Sequence, residues 1–184
     1  MTSPIDDIAS YALKRGAMIA KIISPRDLII EERVVFKCLN CPDYNNNWSC
    51  PPHTPPVSAF KKMIREYKYA LVMVFKSSMN PSLLSDYEEM KKIWGRDKKK
   101  AFNISLDVER YAFNKGFPFA YLFRPGSCNI CPKCDMSKGC RHQLLLRYPL
   151  CAAGINIVKT LKKIGVSLSF PPKNPLLVSI LLID

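Results

Sequence analysis

Eight cysteines, at positions 38, 41, 50, 128, 131, 134, 140 and 151, constrain this chain more than any other feature. Seven of them fall into two tight groups, CLNCPDYNNNWSCPP and CNICPKCDMSKGC, far apart in the sequence. A metal needs several deprotonated soft ligands within about 2.3 Å of one point, and CxxC spacing lets one tight turn aim two sulfurs at the same ion. The triple CxxCxxC goes further, because it wraps one segment around a cluster, as in the bacterial ferredoxin pattern CxxCxxCxxxCP. Here Cys140 follows Cys134 after five residues, so its destination is open from spacing alone.

Disulfides are the poorer reading, since a reducing cytoplasm keeps thiols free and two-residue CxxC loops make weak staples. Structural zinc is the serious rival: Cys38/Cys41 and Cys131/Cys134 supply the two CxxC units that zinc sites commonly pair. The triple spacing and the Trp-Ser-Cys-Pro-Pro context favour one or two four-iron clusters buried by aromatic and proline residues. Cys128, Cys131, Cys134 and Cys140 form the expected set for one centre. Cys38, Cys41 and Cys50 would serve a second, completed by Cys151 or by a non-cysteine group. Cys151 reads equally well as a buried small hydrophobe.

Other residues in these loops carry weaker signals. His53 follows Cys50-Pro-Pro and His142 follows Cys140-Arg141, so either could bind metal or donate a proton, although a loop histidine is the commoner outcome. Trp48 and Tyr44 are expected as a hydrophobic lid over the site. Arg141, Lys133 and Lys138 would offset the negative charge of a thiolate cluster.

The 184 residues suit a single domain spanning 1–184 with one sizeable core. Apolar runs are short and broken by charge, and none approaches the roughly 20 residues of a membrane span. The opening MTSPIDDIASYALKRG lacks the basic start and apolar stretch of a secretory signal, so a cytoplasmic location is expected. Lys and Arg outnumber Asp and Glu by 28 to 15, a formal charge of +13 that favours an acidic or otherwise anionic partner. Lys61–Lys62, Lys91–Lys92 and Lys98–Lys100 read as solvated helix faces in preference to a nucleic-acid surface, because no aromatic-plus-basic motif accompanies them.

Periodicity places a helix over 4–15, capped by Ser3, and a hairpin or bent strand in DLIIEERVVFKC that delivers the first cysteine. A helix at 57–67 and a strand at 69–76 follow, then two helices between Pro81 and Gly116. Phe117–Phe123 reads as a strand leading into the second cysteine loop. A helix at 150–164 and strands near 166–170 and 175–183 complete the chain. The expected fold is α/β or α+β: a mixed sheet flanked by helices, with two cysteine-rich metal-binding loops.

Taken in order, CLNCPDYNNNWSCPP, LDVERYAFNKGFPFAYLFRPGSCNICPKC, CRHQ and AAGINIVKTLKKIG resemble a family of uncharacterised archaeal and bacterial proteins described as predicted metal-binding proteins. The likeness covers roughly residues 30 to 170. It implies metal binding through Cys38, Cys41, Cys50, Cys128, Cys131, Cys134 and Cys140, and implies no reaction. Gln143 stands where that family tends to have proline, and Ala153 where it tends to have cysteine. No GxGxxG fingerprint or phosphate-binding loop is present, so the leading expectation is an iron–sulfur protein passing electrons to or from an acidic partner. The alternatives are an iron–sulfur enzyme with an open iron, and a zinc-stabilised interaction or nucleic-acid-binding module. Whether the protein is an enzyme is left open by the residues.

Overall fold

The computed structural model describes residues 3–80, 86–168 and 175–184. Among them are four strands, β1 (Ile19–Ile23), β2 (Tyr69–Lys76), β3 (Tyr121–Phe123) and β4 (Leu176–Ile183). They form one sheet in the order β1-β2-β4-β3. Every pairing is antiparallel, so the sheet is not mixed as expected. β2 and β4 lie in the centre and are apolar along nearly their whole length because both faces of the sheet are covered. Leu71, Met73 and Phe75 join Leu177 and Leu181 in a core beneath α1 (Pro4–Lys14) and α4 (Tyr87–Asn114). The alternate residues Ala70, Val72 and Val74 join Val178, Ile180 and Leu182 in a second core, with Phe60 and Ile64 of α3 (Val57–Ile64). Leu161 of a further helix, Ile157–Lys163, completes that side.

α1 is built as its residues dictate: the Ser3 hydroxyl accepts from Asp6 N, and Ile5, Ile8, Ala9 and Ala12 are buried. Elsewhere tertiary contacts redraw the expected elements. The segment 25–40 is no hairpin. It forms a 3-10 turn at Pro25–Asp27, the short helix α2 (Glu32–Phe36) and a 3-10 turn at Lys37–Asn40. Its backbone groups find partners in the 150s instead of a neighbouring strand: Glu31 N donates to Gly154 O at 2.8 Å and Asn156 N to Ile29 O at 2.7 Å. The first cysteine group therefore leaves a helix, not a strand end, while β1 uses the less conspicuous IAKII at the sheet edge.

Between 86 and 116 the chain makes one 28-residue helix, α4, instead of two. Gly95 does not end it: a single helical glycine costs only about 1 kcal/mol, and the helix is anchored by the buried face that begins at Ala101. The start of the two-helix expectation, 81–85, lies outside the described residues. The expected strand at Phe117–Phe123 shrinks to Tyr121–Phe123. The buried Glu109 carboxylate of α4 fixes it there, accepting from Leu122 N at 2.9 Å and from the Arg147 guanidinium at 2.7 Å.

The helix expected at 150–164 begins only at Ile157, and we label Ile157–Lys163 α5. Asn156 caps it, accepting from Lys159 N at 3.1 Å, and Gly154 before it sits at φ +75°. Residues 166–168 form no regular element, and 169–170 lie outside the described residues.

Candidate metal centre

All eight cysteines are free thiols. The second group acts as one unit: Cys128, Cys131, Cys134 and Cys140 line a single cavity, together with Trp48, Ile130, His142 and Leu146. Two hydrogen-bond systems hold this loop. The Asp135 carboxylate accepts from Ser137 N, Ser137 Oγ and Lys138 N, and these bonds hold its pKa below the usual carboxylate value. Arg141 Nη2 donates to Lys133 O at 3.0 Å and ties the Cys140 end of the loop back to the CxxC segments.

In the first group the 3-10 turn at Lys37–Asn40 presents Cys38, and Cys41 closes it by donating its N–H to Cys38 O at 3.0 Å. Cys38 and Cys50 are buried, whereas Cys41 is exposed. The structure supplies what spacing left open, because the turn before α5 carries Cys151 to this group. Cys151 neighbours Cys38: their interaction lowers the pKa of the Cys38 thiol, and Cys38 together with burial raises that of Cys151. Burial pushes Cys50 up to about 12, with Asp43, Cys41 and Cys38 adding to the rise. Cys151 thus acts on Cys38 and is acted on by Cys50, and Cys38 and Cys41 in turn act on Cys50.

Residues 47–49 join the sets. Buried Asn47 donates from Nδ2 to Cys128 O at 2.8 Å, and its Oδ1 accepts from Ser49 N and Ser49 Oγ. Ser49 Oγ in turn accepts from Cys128 N at 3.0 Å while lying 3.7 Å from Cys50 Sγ. Trp48 Nε1 donates to Asp135 O at 2.9 Å and its ring lines the cavity of the second group, while also lying 4.6 Å from the His53 ring of its own loop. Tyr44 does not line that cavity. His142 does, but His53 is held in the first loop by a 2.9 Å hydrogen bond between Nε2 and Asn45 Oδ1.

The turn that carries Cys151 is anchored by Glu31, whose carboxylate accepts from Arg33, Asn156 and Lys159. Those bonds, Arg33 first, lower its pKa from an ordinary 4.5 to about 2. A depressed carboxylate stabilises the fold above its unfolded pKa and loses that contribution as pH falls through the folded one. Glu31→Gln is therefore expected to be less stable than the parent at neutral pH, and the gap to close between pH 4.5 and about 2, as read from urea midpoints.

Of the cations expected beside the thiols, Arg141 lines the cavity of Cys128, Cys131, Cys134 and Cys140. Arg141, Lys133 and Lys138 are exposed, and two further cations lie near the cysteines, Arg124 fully buried and Lys98 partly so. Arg124, which directly follows β3, is 0% exposed. Its guanidinium lies over the Phe102 ring at 4.1 Å and donates from Nη2 to Asn129 Oδ1 at 3.0 Å. Burial lowers its pKa, and neighbouring Cys128 and Cys50 oppose that shift. Lys98 of α4 donates to Ser127 Oγ at 3.1 Å. Burial and then Arg124 push its ammonium down, against Asp43, Cys50 and Cys128. Gly126, at φ +67°, makes room for it, since a Cβ there would meet Lys98 Cδ at 3.0 Å. The signal in the sequence was a lone arginine ending the apolar run FPFAYLF four residues before a cysteine.

Among the described residues, no three or more His, Cys, Asp or Glu side chains converge closely enough to hold one metal ion. The thiols are gathered into neighbourhoods without being drawn to a point. The donor chemistry nonetheless fits a thiolate-bound metal, because soft sulfur donors sit beside a buried guanidinium whose Nε and Nη1 have no hydrogen-bond partner.

Fold and site together define a single-domain α/β protein rich in unpaired cysteines. The chain belongs to the family described as "Predicted metal-binding protein (DUF2284)", whose model matches residues 21–183. No curated protein and no solved structure matches the chain. Among the described residues, no helix is long and apolar enough to cross a membrane.

Proposed function

We propose that this protein carries two four-iron clusters, one on Cys128, Cys131, Cys134 and Cys140 and the other on Cys38, Cys41, Cys50 and Cys151, and that it transfers single electrons. The observation that carries this reading is the single cavity lined by Cys128, Cys131, Cys134 and Cys140; Cys151, from outside both sequence groups, neighbours Cys38 and would bring the first set to the four thiols such a cluster takes. Four thiols per set also disfavour an open iron, and with it the enzymatic alternative. Ser49 touches both sets, so an electron entering one centre has a short path to the other. Exposed Cys41 places one centre at the surface, where a partner could reach it. No bond is made or broken in this reaction. The cluster supplies the change of oxidation state, and the chain supplies ligands, burial and charge. A formal charge of +13 fits an acidic redox partner, drawn in by long-range attraction.

The test is metal content after anaerobic purification. About eight irons and eight acid-labile sulfides per chain are expected, with the broad visible absorption of iron–sulfur clusters. Zinc without iron would overturn the proposal and make the cysteine loops a metal-stabilised interaction module.

A further inference from the structure

Arg124 presents an electrostatic problem that the polypeptide does not solve by itself. Its side chain is fully buried, one face rests on Phe102, and Nη2 is fixed by Asn129, whose own Nδ2 is anchored on Gly95 O at 2.8 Å. The guanidinium is thus held in place by two residues of α4 and one of the cysteine loop. Two of its nitrogens, Nε and Nη1, nevertheless lack a hydrogen-bond partner. A buried charge without an anion is strongly destabilising, and arginine does not escape by losing its proton. Lys98, one turn before Phe102 on α4, adds a second cation on the same side. Among the described residues, no carboxylate is hydrogen-bonded or ion-paired to either of these cations. The acidic groups that act on Arg124 are the thiols of Cys128 and Cys50, one from each sequence group. Neutral thiols cannot balance a cation, whereas four thiolates around a four-iron cluster of charge 2+ leave a centre of about −2.

We propose that Arg124, assisted by Lys98, is the internal counter-cation of the two centres, and that its free N–H groups face sulfur of the Cys128 centre and raise that centre's reduction potential. The inference rests on the iron–sulfur reading above. Reduction adds negative charge to the cluster, so a fixed cation and N–H donors favour the reduced state. Arg124 acts through the cluster and is a positioning and tuning residue. The two centres should differ: Arg124 donates at the Cys128 side, so that centre should have the higher potential of the pair, and Ser49 offers the only hydroxyl near Cys50 Sγ among the hydrogen bonds described.

The experiment is a redox titration of Arg124→Met, Arg124→Lys and Lys98→Met beside the wild type, followed by electron paramagnetic resonance, with iron and sulfide counted in each. Arg124→Met is expected to keep its iron and to titrate at a clearly more negative potential, with the larger shift in the Cys128 centre. Arg124→Lys should recover most of the shift, and Lys98→Met should show a smaller one. A purely structural arginine would change stability and leave the potential alone. Full iron with unchanged potentials in all three variants overturns this inference and leaves the iron–sulfur reading standing. Wild-type protein holding zinc and no iron overturns both. If Arg124→Met does not fold, the other two decide: a lowered potential in Lys98→Met with a near-normal one in Arg124→Lys supports the inference, and no change in Lys98→Met overturns it.

Discussion

Cys151→Ser is expected to retain about half the iron of the wild type, because one four-thiolate centre loses a ligand while the other keeps all four. A serine hydroxyl is a poor substitute for a soft thiolate, and the first set has no spare cysteine to replace it. Cys134→Ser should produce the complementary loss, leaving the Cys38 centre loaded. The double variant should bind almost none. Iron and sulfide per chain, read beside the resonance spectrum, separate these outcomes: each single variant should lose a different set of signals. Full iron in Cys151→Ser would show that Cys151 is only a packed thiol and that the first set relies on some other fourth ligand. The experiment is sharp because Cys151 has no place in either sequence group and joins the first only through the fold.

Gly154→Val is expected to lower stability by about 2–5 kcal/mol, combining roughly 1–2 kcal/mol for a side chain in the left-handed region with 1–3 kcal/mol for overpacking. Both terms come from local geometry. Gly154 has φ +75°, and a Cβ would lie 2.8 Å from Val57 Cγ1 and 3.3 Å from Glu31 O. Val57 is buried and β-branched, with little freedom to turn aside, and the Glu31 carbonyl belongs to backbone. Denaturant midpoints at constant slope measure the loss. The same change should loosen the first centre more than the second, since Gly154 N donates to Cys151 O at 3.1 Å and holds the turn that presents this thiol. Equal loss of iron from both centres would instead indicate global unfolding.

Much of the architecture is legible in local patterns. α1 has a capping serine, an early proline and an apolar face, and these act within one turn whatever surrounds them. β2 and β4 are apolar runs of strand length, and burial on both faces explains why no polar alternation interrupts them. Failures arise where a segment's partners are remote. Leu28 to Val35 has the composition of strands, but its backbone pairs with the 150s only through the single antiparallel bridge Ile30–Ile155 and then turns into α2. β1 is overlooked for the opposite reason, being a short edge strand whose identity comes from its register with β2.

The candidate site divides in the same way. CxxC and CxxCxxC spacing is a statement about one turn of chain, so the candidate ligands of both loops can be read from the sequence, whereas the convergence of Cys140 on the cavity of Cys128, Cys131 and Cys134 had to come from the fold. Cys151 and Arg124 could not be assigned that way. Their positions depend on where a turn before α5 and the end of β3 come to rest, and for the turn the partners, Ile29 and Glu31, are more than a hundred places distant. Short-range chemistry is written in residue spacing. The pairing of Cys151 with Cys38, and the burial of a guanidinium beside Cys128 and Cys50, exist only once the sheet and α4 have closed around them.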